Sequence, residues 1–384
     1  MLTIGGCADV FQQTGAVSQK QGSTYKPYYQ GGSNLGQGMA PLPQGKIRAA
    51  VLLPLSGKNA ALGQAMLNAA QQAVFDAAET NFELMPRDTA AEGGAQEAAR
   101  GAVADGARLI IGPLFASDVP AVKLVAQVNG LMMLPLSTDT SLADRGVFVM
   151  GLAPSAQVER IVAYAASQGL HNFAALVPST PYGNVVGSVF RRAVTQGGEN
   201  LVSIEYFDPA ARNAGDKIKA LAEKRDNIDA LFLPENDKDL KSITVQLAAA
   251  GFSPSKTRIL GTGLWDVPNL ARQNSFLVGS WYAAPDTSFR KNFITSYTET
   301  YNQEPPRLAT LAYDATALAS VLAKRGGRYD EAALTNPNGF AGLDGIFRLT
   351  RSGMVERAMA VNEVTQDGAR VIDNAPTTFV SWTR

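Results

Sequence analysis

The chain is poor in the residues that build metal, redox or thiol centres. Its 384 residues hold one cysteine, Cys7, and one histidine, His171. A single cysteine excludes an internal disulfide, and the two together exclude a metal site with two or more Cys/His ligands of one kind. A Ser-His-Asp triad would have to recruit His171, which opens a predicted strand far in sequence from any nucleophile. A surface or strand-edge histidine is expected instead. Charge of one sign is also missing. Lys plus Arg and Asp plus Glu both number 34, and no basic run stands out, which argues against nucleic acid as a partner. No stretch approaches the ~20 apolar residues of a membrane span.

Several catalytic signatures are absent as well. There is no G-x-x-x-x-G-K-[ST], no G-x-S-x-G, and no G-x-G-x-x-G after a strand; "GTGLWD" holds only its first half. Ser253 and Lys256 have S-x-x-K spacing without its partner motifs, and that spacing is read as chance. No cofactor and no metal is expected, and a binding protein is favoured over an enzyme.

What is present is alternation. Hydrophobic residues make up 46% of the chain, enough for substantial cores. Strands are predicted at 47–55, 82–87, 108–112, 131–136, 147–152, 172–178, 200–207, 228–234, 257–263 and 276–284. Helical stripes lie between most of them. In 60–79 the stripe is Leu62, Met66, Ala70, Ala73 and Ala77, at i, i+4 and i+3 steps. Similar stripes run through 156–168, 184–196, 238–250 and 308–324, and after Pro285 the pattern loses its strands and becomes two helices, about 288–301 and 308–324. Repeated strand-helix-strand units predict an α/β fold of parallel sheets covered by helices on both faces. Ten strands exceed one comfortable sheet, so two Rossmann-like lobes are expected. The end, 343–384, reads as short antiparallel strands with turns at "RSG" and "QDG".

Ligands of open α/β sheets bind beyond the carboxyl ends of the strands. Here those ends are polar: "PLSGKNAALG", "IGPLFASD", "LPLSTDT", "VPSTPYGN", "LPEND" and "GTGLWD". They supply Ser56, Ser117, Ser137, Thr138, Tyr182, Glu235 and Asp266 as candidate ligand-binding residues. Helix N-termini beside them offer N–H donors for an anionic group. Any single hydroxyl is as readily explained as a cap or turn residue. Ser117 or Asp118 is the best example, capping a helix with Pro120 in its first turn. Tyr182 beside Gly183 is harder to explain in that way.

Residues 1–45 are rich in Gly, Gln, Ser and Pro and lack periodicity, so a disordered tether is expected. "IGGC" resembles a bacterial lipobox with Cys7 as the acylated residue. The resulting expectation is a lipoprotein with a signal peptide, held to a bacterial membrane in the periplasm by an N-terminal lipid at Cys7.

The quoted stretches, with "AALVPSTPYGN" and "ALFLPEND", together resemble type I periplasmic binding proteins of the leucine/isoleucine/valine-binding kind, over about 47–350. That resemblance implies two lobes joined by three crossover strands, with a ligand closed between them by hinge motion. The crossovers would fall near 152–155, 281–285 and 341–345. Lobe 1 would then be 46–152 plus 285–341, and lobe 2 would be 153–284 plus 342–384. The family threonine that helps hold an amino-acid carboxylate matches Thr138, and the second-lobe tyrosine matches Tyr182. The family serine falls on Ala116, with Ser117 one residue late. The carboxylate that meets the amino group falls near Gly263, with Asp266 as a displaced substitute. The aromatic after the 228–234 strand falls on Asn236 or Asp237. These departures resemble a neighbouring branch, the penicillin-binding-protein activator lipoproteins. Two functions follow from the resemblance. One is a receptor for a small polar ligand such as an amino acid, serving an ABC permease. The other is an activator of a peptidoglycan synthase that uses the same fold for protein contact.

Overall fold

The computed structural model describes residues 45–379 apart from 211, 268 and 287. The tether and Cys7 lie outside the described residues. The chain folds as two α/β bodies, each a sheet with helices on both faces, plus a small third sheet.

The first body contains β1 (Ile47–Leu53), α1 (Ala60–Ala77), β2 (Phe82–Asp88), α2 (Gly94–Ala104), β3 (Leu109–Ile111), α3 (Val119–Val128) and β4 (Met132–Leu134). Its sheet is parallel, in the order β2-β1-β3-β4. The near-continuous apolar run of β1 is explained by burial on both faces. Ala49, Val51 and Leu53 meet Met66, Leu67 and Ala70 of α1. Ala50 and Leu52 meet Ala95, Ala99 and Ala102 of α2 and Val122 of α3. The predicted strand at 147–152 is an extended segment beside β4, where Phe148 N donates to Met133 O and Met150 N to Pro135 O.

The second body contains α4 (Pro154–Ser167), β5 (Asn172–Pro178), α5 (Pro181–Gln196), β6 (Asn200–Phe207), α6 (Ala214–Ala222), β7 (Ala230–Phe232), α7 (Asp237–Ala249), β8 (Arg258–Gly261), α8 (Leu270–Gln273) and β9 (Trp281–Pro285). Strand β5 again alternates between two cores. Ala174 and Leu176 face α6 and α7, while Phe173, Ala175 and Val177 face α4 and α5. Strand β9 starts later than predicted because Ser275–Leu277 forms a 3-10 turn and Gly279 takes a positive φ.

The chain then returns to the first body as α9 (Ser288–Tyr301) and α10 (Ala309–Lys324). Leu311, Ala312, Ala315 and Leu318 of α10 fill the core under β1. After α11 (Glu331–Leu334) come β10 (Phe340–Gly342), β11 (Gly345–Leu349) and β12 (Val355–Arg357), an antiparallel sheet. Phe340, Phe347, Leu349 and Val355 pack into the first core. The last passage to the second body therefore falls at Arg357–Met359, and not at 341–345. Strands β13 (Met359–Thr365) and β14 (Gly368–Asp373) complete a seven-stranded sheet, in the order β14-β13-β9-β8-β7-β5-β6. Strand β13 runs antiparallel to β9, and β14 antiparallel to β13.

Candidate functional site

The second body brings four strand ends and helix starts together. Strand β5 ends at Pro178, and Thr180 caps α5, its hydroxyl accepting from Gly183 N at 3.0 Å. A Cβ at Gly183 would stand 1.8 Å from Pro178 O, so this corner closes only around a glycine. The tight corner aims Tyr182 inward, and its hydroxyl lies 3.0 Å from Thr262 Oγ1. Thr262 follows β8, is fully buried, and caps the 3-10 turn Gly263–Trp265. Gly263 N donates to Gln157 Oε1 of α4 at 2.7 Å.

Glu235 follows β7 and is only 7% exposed. Its Oε1 accepts from Asn236 N at 3.0 Å, and its main-chain oxygen accepts from Trp265 Nε1 at 3.0 Å. Its Oε2 is buried with no hydrogen-bond partner among the described residues. Burial pushes the Glu235 carboxyl above its usual range, against the Asn236 N–H and with help from Asp239. Burial also pushes the Tyr182 hydroxyl up to about 12, with the Glu235 charge adding to it and Thr262 opposing it. At neutral pH, Tyr182 is a neutral hydroxyl beside a costly carboxylate.

This electrostatics makes a stability prediction. The folded-state pKa of Glu235 lies above its unfolded value. The stability linked to its proton is complete below the unfolded pKa, about 4.3, and is lost as pH rises through the folded one. Glu235→Gln should therefore raise stability at pH 7 by about 1 kcal/mol, with no gain at pH 4. Thermal unfolding at the two pH values checks it; an equal change at both would assign the effect to packing.

The other candidates are spread around the first body. Ser56 is exposed, and its hydroxyl and N–H serve the Asp88 carboxylate, which also accepts from Leu55 N at 2.8 Å. Ser117 is exposed and donates to Asp118 at 3.3 Å; Asp118 heads α3 without a side-chain cap. Ser137 is buried, its Oγ accepting from Asp139 N at 3.0 Å and its carbonyl from Gly151 N at 3.0 Å. Thr138 is exposed beside it, its Cα 2.6 Å from where a Gly151 Cβ would sit. Ser137 and Thr138 thus flank the first passage between the bodies. Asp266 does not join the Tyr182 group: Arg290 of α9 holds its carboxylate at 3.0 Å. His171 sits exposed at the start of β5 against Glu199.

Thr262 and Gln157 were not among the sequence candidates. The only signal for Thr262 was a polar residue between two glycines at a strand end. Gln157 had none, since a glutamine in a first helical turn reads as solvated surface. A hollow of about 680 Å³ opens elsewhere, on the β2 edge, lined by Arg48, Glu83, Arg87 and Asp105 among others. Among the described residues no cluster of His, Cys, Asp and Glu is placed to hold a metal ion, and no helix is long and apolar enough to cross a membrane.

Two doubly wound lobes, linked by three chain passages and carrying polar groups at their strand ends, define a ligand-binding class of α/β protein. The chain belongs to the periplasmic binding protein family, whose match covers residues 46–369. Membership implies an extracytoplasmic location and a class that is in general solute-binding and non-catalytic. Solved structures of the same fold include a Rhodospirillum rubrum protein named for branched-chain amino acid ABC transport. It is 20% identical, with a TM-score of 0.77, covering 85% of this chain and 100% of that one. The leucine-binding protein LivK of Thermotoga maritima is 21% identical, with a TM-score of 0.57, over 86% and 98%. The C-domain of LpoA from Haemophilus influenzae, described as a regulator of PBP1A, is 20% identical, with a TM-score of 0.67, over 85% and 99%. A curated relative, an uncharacterized protein of Rickettsia prowazekii (strain Madrid E), is 25% identical over 207 residues. That match takes in 51% of this chain and 55% of the relative, so the chain spans about half the length of the curated relative it matches.

Proposed function

We propose that the protein is a non-catalytic cell-envelope receptor that closes its lobes on a small, polar, amino-acid-like solute and serves an ABC permease. The observation that carries this reading is the buried Glu235 oxygen without a hydrogen-bond partner among the described residues, set beside the Tyr182–Thr262 hydroxyl pair. A buried charge is tolerated when something pairs with it. A ligand ammonium would do so, while Tyr182 donates to a ligand oxygen. Ser137 and Thr138 supply the facing hydroxyls, with Ser56 and Ser117 at the rim of lobe 1. Asp266 is left out of the contact set. Cys7 carries the lipid that holds the receptor at the membrane.

Calorimetric titration of the ligand-free protein with the twenty amino acids is the test. Micromolar binding, about 8 kcal/mol, is expected for at least one. Tyr182→Phe should weaken it about tenfold, the worth of one hydrogen bond. Silence from every amino acid would overturn the receptor reading.

A second reading is an activator of a peptidoglycan synthase. It is favoured by the likeness to the LpoA C-domain and by Ala116 standing where the receptors' serine would fall. Retention of a bifunctional synthase on the immobilised protein, with no amino acid bound, would select it.

A further inference from the structure

The passages between the lobes enclose a buried ion network that ligand contact does not explain. Asp344, in the turn between β10 and β11, is fully buried. Its Oδ2 accepts from Arg307 at 3.0 Å and from the Thr310 hydroxyl at 2.6 Å, and its Oδ1 is paired in charge with Arg307 at 2.9 Å without a hydrogen bond. Arg290 reaches the same carboxylate at 3.8 Å. Asp314 of α10 is also fully buried, pairs with Arg357 at 2.8 Å and accepts from Leu343 N at 2.7 Å. Arg357 bonds the Asp344 carbonyl at 3.3 Å.

These groups sit at the hinge itself. Arg357 is the last residue of β12 before the chain crosses at Ala358. Arg290 lies in the first turn of α9, just past the crossing at Asp286. A Cβ on Gly345 would meet Ala358 O at 3.2 Å and Asp286 N at 4.0 Å, so the two crossings run side by side against this turn. Five of the six charged members belong to lobe 1. The sixth, Asp266, belongs to lobe 2, where its neighbours Leu264, Trp265 and Val267 pack into the core under β7 and β8. Among the ion pairs of the described residues, Asp266–Arg290 is the one that joins the two lobe cores. Arg290 also faces the buried Asp344 charge at 3.8 Å, which favours its guanidinium staying on the lobe 1 side.

We propose that Asp266–Arg290 is a latch that holds the two lobes at a set hinge angle. The pair spans the two lobes at 3.0 Å, so a rotation that changes this geometry loses it, and the intact pair favours the arrangement in which it is made. The pair is partly shielded, with side-chain exposures of 23% and 15%, so water screens it less than a surface bridge.

The test measures the lobe-to-lobe distance distribution in ligand-free protein by pulsed electron resonance. Spin labels are placed at Val128→Cys on α3 and Val245→Cys on α7, both exposed, in a Cys7→Ser background. Asp266→Asn keeps the shape and removes the charge. It should shift the ratio of lobe arrangements about tenfold, or about 1.4 kcal/mol, seen as a new or enlarged distance population. Asp266→Glu keeps the charge and should retain the parent distribution. A distribution unchanged in Asp266→Asn, or shifted equally in both variants, would overturn the latch. The inference rests on the two lobes being able to move, but not on any solute: the measurement uses no ligand, so failed titrations leave it untouched.

Discussion

Replacing Asp314 with asparagine is expected to cost about 3–5 kcal/mol of folding stability: burial holds its carboxyl above the usual range, but Arg357 keeps its charge and loses its partner, and that loss outweighs the relief. The substitution keeps an oxygen for Leu343 N and nearly the same volume. What it removes is the charge facing Arg357, which is 2% exposed and stacked over the Phe347 ring at 4.8 Å. That buried guanidinium would be left with the Asp344 carbonyl and the more distant Asp344 charge. Nor can the surroundings close around the change: a Cβ on Gly342 would already stand 2.5 Å from Asp314 Oδ2. Replacing both partners, Asp314→Leu with Arg357→Met, should cost less than Asp314→Asn alone, because no orphan charge remains. Urea unfolding followed by tryptophan fluorescence measures both. A loss below about 1 kcal/mol for Asp314→Asn would mean that the pair is effectively solvated.

The alternating architecture was legible because burial on both faces leaves a plain mark. Runs such as 47–53 and 172–178 are too short and too continuously apolar for a surface helix, and stripes such as Met66, Ala70 and Ala73 have the helical period. Crossing points were less legible. Strands β10 to β12 are short and alternate apolar with polar residues, a pattern that fits either core equally, so the last passage was expected about 15 residues too early. Only the packing of Phe340 and Phe347 decides it.

The site was legible in part, for a reason of the same kind. An aromatic residue followed by glycine at a strand-to-helix corner is unusual enough to single out Tyr182. Glu235 stood out as an acid directly after a buried strand. Thr262 is β-branched and sits where the strand ends, so it reads as one more strand residue. The pairing of Asp266 with Arg290, 24 residues away on another lobe, was not legible, since a sequence carries no sign of such a contact.

Gly183→Ala should destabilise the protein by about 3 kcal/mol, the upper end of the overpacking range. By local propensity it should do the reverse. Gly183 lies inside α5 without a positive φ, and alanine in a helix interior is favoured over glycine by about 1 kcal/mol. Sterics decide the sign. The new Cβ would stand 1.8 Å from Pro178 O, a backbone atom fixed by β5 and unable to swing aside. The first turn of α5 would have to move away from the strand end and carry Tyr182 off Thr262, so the same substitution should abolish any solute binding that depends on Tyr182. Gly187→Ala, one turn further along the same helix, is the control. There the Cβ would meet the Tyr206 hydroxyl at 2.4 Å and its ring at 3.1 Å, a half-buried side chain that can shift where the Pro178 carbonyl cannot, so its cost should be smaller than that of Gly183→Ala. Equal unfolding midpoints for the two variants would show that the corner at Pro178 yields, and that Tyr182 is not held in place by it.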